Sequence, residues 1–278
     1  MPIVTMLEYE FMRTALLAGS LVAVVAGAVG FFLVLRHLAF AGHALSHVGF
    51  AGATGAMLVG ASPLWGLLAF TLVAALAMGL LGARLRGRDV AVGVILSLAL
   101  GVGVLFLSLY TANANQATAI LFGNVLGVEM HTVWALLALS VVSLSALAFI
   151  SRPLLFATLA PELAEARGVS LRRVAMLFLV IVAIAVAEAA QVVGVLLVFA
   201  LMVAPAATAL RLTARVGLGV TLAVLLALAA TWAGLALAYR TDWPTTFCIV
   251  AVSCSAYFLS LLRRPGHWPA ARAEPTGE

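Results

Sequence analysis

Residues 14–35, TALLAGSLVAVVAGAVGFFLVL, contain no charged side chain, and further apolar runs of similar length follow along the chain. About 20 largely apolar residues suffice to cross the hydrocarbon core of a bilayer. In lipid every backbone N–H and C=O must be satisfied inside the segment, so each continuous run is expected to be a helix. We place nine spans near 14–35, 43–60, 64–83, 91–110, 131–151, 173–189, 192–210, 217–238 and 244–262. The sixth and seventh form one long run broken only around Gln191 and Gly194; without that break the count is eight. Charged residues make up 9% of the chain, against about 25% in soluble domains. Too few polar side chains remain to build a water-facing surface, and the expected fold class is an all-α polytopic membrane protein.

The basic residues orient it. All 15 are arginine, and with the N-terminus outside every one except Arg13 and Arg240 falls on the cytoplasmic side. That asymmetry satisfies the positive-inside rule and puts the C-terminus in the cytoplasm. The +5 balance is spread over single arginines and small clusters, which does not point to nucleic acid. Residues 1–264 are expected to form one transmembrane domain, with 265–278 a disordered cytoplasmic tail. The first run is too long for the core of a cleaved signal and is expected to remain. Cys248 and Cys254 point to well-separated faces of one helix and read as small packing residues.

Two connections are more than turns. Residues 111–130 hold no basic residue and include an apolar piece, AILFGNVLG, too short to span, so a loop with a short helix lying at or dipping into the outer membrane face is expected. Residues 152–172 face the cytoplasm, and PELAEARG within them reads as a short helix. Pro161 suits its first turn, Glu162 the positive end, Arg167 the negative end, and Gly168 the stop.

Few residues could carry chemistry. Of ten acidic residues only Glu188 lies deep in an apolar run, where an ionisable group costs roughly 2.5–3.5 kcal/mol and tends to face a cavity, a partner or a substrate. His43 and His47 are four apart, which sets both rings on one helix face. Two imidazoles so placed can share one ion of the zinc type; hydrogen bonding to facing carbonyls is the structural alternative. His37 reads as a companion of Arg36 beside the membrane. Gly49, Gly52 and Gly55 let a neighbouring helix approach closely. No phosphate-binding loop, HExxH or Ser/His/Asp set is present, so any ATP used must be hydrolysed on another chain.

Four pieces in order, FFLVLRHLAFAGHALSHVGFAGA (31–53), ILFGNVLG (120–127), PELAEARGV (161–169) and QVVGVLLVFALMVAPAATA (191–209), make the chain resemble the permease subunits of zinc and manganese ABC importers, the ABC-3 family. The resemblance covers roughly residues 10–264 and implies a type II importer-like permease. It implies a homodimer in membrane lipid, a pair of cytoplasmic ABC ATPases, an extracytoplasmic metal-binding protein, and no permanently bound cofactor. The family's second-span motif reads G-D-A-L-S-H-A, with its Asp and His associated with metal passage. Here His47 matches the His and His43 replaces the Asp, which favours zinc over manganese. Glu188 is outside that motif, and its membership of a metal site with His43 and His47 is an expectation from its rarity alone.

PELAEARG resembles the family's coupling helix, about residues 160–169, which docks on the ATPase through positions matching Pro161, Glu162, Ala164 and Gly168. Ala160 replaces the Asp that would cap it. Gly194 and Pro205 match the family's seventh-span pattern and are expected to shape a bend. The expected function is the membrane permease of an ATP-driven importer of divalent transition metal, without a catalytic site of its own. The alternatives are a proton-coupled secondary transporter and a type II permease for a metal chelate.

Overall fold

The computed structural model describes residues 8–81, 88–109 and 121–262. The helices are α1 (Glu10–Leu35), α2 (Ala39–Leu58), α3 (Pro63–Leu81), α4 (Arg88–Leu109), α5 (Met130–Leu159), α6 (Pro161–Ala166), α7 (Leu171–Val193), α8 (Val198–Leu212), α9 (Val216–Thr241) and α10 (Thr245–Leu261), with a 3-10 turn at Val125–Gly127. All are helical, as the apolar runs require. The arginines at 84 and 86, residues 111–120, and the tail 265–278 lie outside the described residues.

Six of these helices (α1, α3, α4, α5, α7 and α9) are long and apolar enough to cross a membrane. At 15 and 17 residues α8 and α10 are shorter, and α2 has 20 residues but includes two histidines. The nine expected spans thus correspond to α1–α5 and α7–α10. The soft division falls at Gly194, which ends α7 with φ 88° and ψ 152°, a conformation close to glycine's own.

One boundary differs from expectation. The apolar pattern ends the fifth span at 151, whereas α5 runs 30 residues to Leu159 with Pro153 inside it. Proline there forfeits one helical hydrogen bond, but Leu154 and Ala157 beyond it are buried and hold the last turns against the body.

The centre of the bundle is α1 and α7, each 72% buried over its most apolar stretch, against 22% for α4. Apolar side chains gain little by leaving lipid for protein, so close packing through small residues decides which helices lie inside. Along α1, Gly27 meets the backbone of Val224 on α9 and Gly30 that of Met202 on α8. Gly52 on α2 and Gly66 on α3 face each other the same way; Gly49 accepts Leu67 and Gly55 accepts the ring of Phe106. Cys248 and Cys254 are both free thiols, the first fully buried.

Residues 121–127 include a 3-10 turn, Val125–Gly127, that packs into the bundle. Val125 is 3% exposed, Asn124 Oδ1 accepts from the Gly127 N–H at 3.0 Å, and the Leu196 N–H donates to the Leu121 carbonyl at 3.1 Å. Gly123 and Gly194, both at positive φ, stand backbone to backbone, so the loop is stitched to the α7–α8 break. A methyl at Gly194 would lie 2.7 Å from the Leu121 carbonyl oxygen. Gly194→Ala is therefore expected to cost at least about 1–3 kcal/mol from backbone strain alone. Gly217→Ala, where a methyl meets nothing within 4 Å, should be neutral or slightly stabilising. Thermal unfolding of the two variants in detergent, read by size-exclusion, separates these outcomes.

Candidate functional site

The corner before the histidines is closed by two backbone hydrogen bonds. His37 takes a left-handed conformation, φ 55°, and the Leu38 N–H donates to the Leu33 carbonyl at 2.9 Å while the His37 N–H donates to Val34 at 3.0 Å. This is the bonding of a Schellman-type helix end, in which two apolar residues meet across the turn. Leu33 and Leu38 are both buried. Gly42 lets α2 fold back, since a methyl there would sit 2.7 Å from Leu33 Cδ2. The corner thus sets where α2 starts and which way its first turns face.

His43 and His47 follow on one face of α2. Their ring centroids are 4.6 Å apart, edge to face, and His43 also meets the ring of Phe199 at 5.1 Å, at the start of α8. Both are half-buried. Ser46, between them, turns its hydroxyl back to the His43 carbonyl at 2.8 Å and adds no donor to the imidazole face. Phe199 was not singled out from the sequence, because an aromatic residue in an apolar run carries no signal of its own.

Glu188 lies elsewhere in contact terms. It is 0% exposed and accepts a short hydrogen bond from the Ser140 hydroxyl of α5. Its Oε2 has no hydrogen-bond partner among the described residues, and neither has the buried Ser143 hydroxyl. Among the described residues no three His, Cys, Asp or Glu side chains are grouped to hold a metal ion. The expected trio is therefore not assembled: the two histidines pair, and Glu188 belongs to a contact between α5 and α7. Serines are common in membrane helices, so Ser140 was not recognisable as its partner.

At the outer end a cavity of about 550 Å³ opens among the α2–α3 turn, the 124–132 segment and the end of α7. Asn124, Glu129, His131 and Gln191 are among its lining residues, and His131 Nδ1 lies 3.1 Å from Glu129 Oε2. Both of these side chains are more than three-quarters exposed, so the pair is a solvated feature of the mouth.

At the inner end α6 carries the expected coupling residues. Pro161 opens the helix, and Ala160 before it supplies no side-chain cap. Gly168, φ 81°, ends it, with the Val169 N–H donating to Ala164 at 2.9 Å. Pro161, Glu162 and Gly168 are exposed, as is Leu163 at 53%. Ala164, expected at the ATPase contact, is instead 0% exposed and seats α6 on the permease. Gly194 stands at the α7–α8 break and Pro205 lies inside α8.

The Ser140–Glu188 contact has a measurable signature. Ser140→Ala leaves the buried carboxyl group without its donor and should cost about 1–3 kcal/mol, whereas Ser140→Ala with Glu188→Leu removes both partners and should recover much of that loss. Unfolding midpoints of the single and double variants in detergent test the pairing.

The chain as a whole is similar to several known membrane transport proteins. The chain is 29% identical over 276 residues to a manganese transport system membrane protein, MntC, of Halalkalibacterium halodurans, covering 97% of this chain and 94% of that one. It is 28% identical over 259 residues to the manganese import system permease protein ScaB of Streptococcus parasanguinis, covering 93% and 92%. Among solved structures, PsaBC of Streptococcus pneumoniae in complex with Fab superposes with a TM-score of 0.84 at 26% identity, covering 95% of each chain. The protein is a multi-pass protein of the bacterial cytoplasmic membrane, as its spans and these relatives indicate. With residues 8–264 matching the family model for the ABC 3 transport family, the chain belongs to that family of metal ABC importer permeases.

Proposed function

We propose that this chain is the membrane permease of an ATP-driven importer in which a bare divalent transition metal, zinc in preference to manganese, passes the His43–His47 face of α2. The observation that carries this reading is the pair of imidazole rings 4.6 Å apart. Two nitrogens bound to one tetrahedral zinc at about 2.0–2.1 Å lie roughly 3.4 Å apart, a spacing that rings so placed reach with small side-chain rotations. The site offers two imidazole nitrogens as ligands and, among the described residues, no grouped carboxylate. Imidazole suits zinc, while manganese prefers oxygen ligands. The names of the relatives favour manganese, and the competing metal must be measured beside zinc. Incomplete ligation suits transport, since the ion must be held weakly enough to leave again.

In this reading two copies of the chain enclose the path, a pair of ABC ATPases docks on α6, and an extracytoplasmic protein delivers the metal. Exposed Pro161, Glu162 and Leu163 on a short inner helix support ATPase coupling, for which a proton-driven carrier has no use. ATP-driven closure of the ATPase pair would move α6 and alternate access to the histidines.

His43→Ala and His47→Ala are each expected to lower metal uptake about tenfold or more, the loss of roughly 1.4 kcal/mol or more of ligand interaction. His43→Asp restores an oxygen ligand and should raise the manganese-to-zinc uptake ratio. Uptake of both metals by cells carrying the whole transporter, at matched membrane levels of permease, checks all three. Unchanged uptake in both alanine variants would remove the histidines from the path. A second expectation concerns the ATPase: Leu163→Asp puts a charge at the exposed leucine of α6 and should reduce co-purification of the ATPase without lowering permease levels.

A further inference from the structure

We infer that Arg36 is a positioning residue that ties the histidine helix to the block carrying the coupling helix, so that movement of α6 reaches His43 and His47 through one guanidinium. The inference rests on the import reading above and adds the element that would transmit the motion. Arg36 caps the C-terminus of α1, at the corner that sets the start of α2. From there it reaches across the bundle. Its Nη1 donates to Thr158 Oγ1 at 3.0 Å and approaches the Leu154 carbonyl at 3.4 Å. Thr158 in turn donates its hydroxyl to the same carbonyl at 2.6 Å. The guanidinium carbon also lies 5.8 Å from the centroid of the Phe178 ring on α7.

Thr158 and Leu154 belong to the last turns of α5, which ends immediately before α6. Phe178 is on α7, which begins just after it. One side chain therefore touches both helices that flank the coupling helix. That flank is packed against α6: Ala164 is buried, and Arg167 lies 5.9 Å from the Phe156 ring of α5. On the other side Arg36 is followed by the Leu33–Leu38 turn and by Gly42 packed on Leu33, an assembly with little slack before His43. Arginine suits the post because a planar guanidinium can hydrogen-bond at one edge while its face rests on an aromatic ring. A lysine keeps the positive charge on the cytoplasmic side, and with it the topology, but not both contacts.

The test uses the full transporter, with its ATPase and binding protein, in proteoliposomes supplied with zinc and manganese together. Arg36→Lys and Thr158→Val are each expected to lower metal moved per ATP hydrolysed, Arg36→Lys by about fivefold or more, with hydrolysis itself changed less than about twofold. Because the two groups act through one contact, the double variant should be no worse than Arg36→Lys alone. A ratio that stays at the wild-type value, a parallel fall of transport and hydrolysis, or losses that multiply in the double variant would overturn the inference. A wild-type complex that moves neither metal with ATP overturns the import reading and this inference with it. A wild type that moves metal while both variants remain fully coupled overturns this inference alone.

Discussion

Backbone-to-backbone contact at glycine is the constraint on which the rest of the structure depends. In water, burying a leucine stabilises a fold by itself, but in a bilayer the alternative environment is just as oily. Helices then gain by approaching closely enough for dispersion and backbone dipoles to act, and only small residues permit that. Gly30 against Met202, Gly52 against Gly66, and Gly123 against Gly194 are the points where this chain uses the device. They hold α8 on α1, α3 on α2, and the 121–127 segment on the α7–α8 break, and α8 in turn sets Phe199 against His43.

The same contacts explain why two polar side chains can stay on α2 at membrane depth. The helix is held by glycines on the sides that meet α3 and α4, and its first turns are held by the Leu33–Leu38 corner. Its orientation does not depend on what the imidazoles bind. His43 and His47 can therefore be left half-buried and lightly partnered, with Phe199 as an aromatic neighbour, without loss of the helix. In the proposed function this separation of tasks matters, since a framework that relied on a bound ion would loosen each time the ion left.

Some of this was legible from residues alone because it depends on period and composition. Continuous apolar runs must be helices in lipid, and Arg counts orient them, so the nine segments and the short inner helix follow without coordinates. The four-residue spacing of His43 and His47 fixes their shared face for the same reason. The end of α5 was misplaced because Pro153 and Arg152 break the apolar pattern, while the burial of Leu154 that continues the helix is a property of its neighbours. The resemblance to metal-importer permeases likewise rested on ordered motifs, and family membership bears it out.

What only the tertiary structure decided is which residues meet across the chain. Local sequence has no term for the distance between residue 140 and residue 188, so the rarity of a charge in lipid drew Glu188 toward the histidines when packing had given it Ser140. It has none for residue 36 and residue 158 either, and a juxtamembrane arginine looks the same whether it greets phosphate or a threonine hydroxyl. Ala164 makes the same point on a smaller scale: its place in a motif suggested an outward contact, and its burial shows it seated inward. The sequence by itself determined the helices, their direction through the membrane and the pairing of two imidazoles on one turn, because those depend on hydropathy, charge and helical period. Which helices touch, and what each buried polar group is given as a partner, was decided by close packing among segments far apart in the chain.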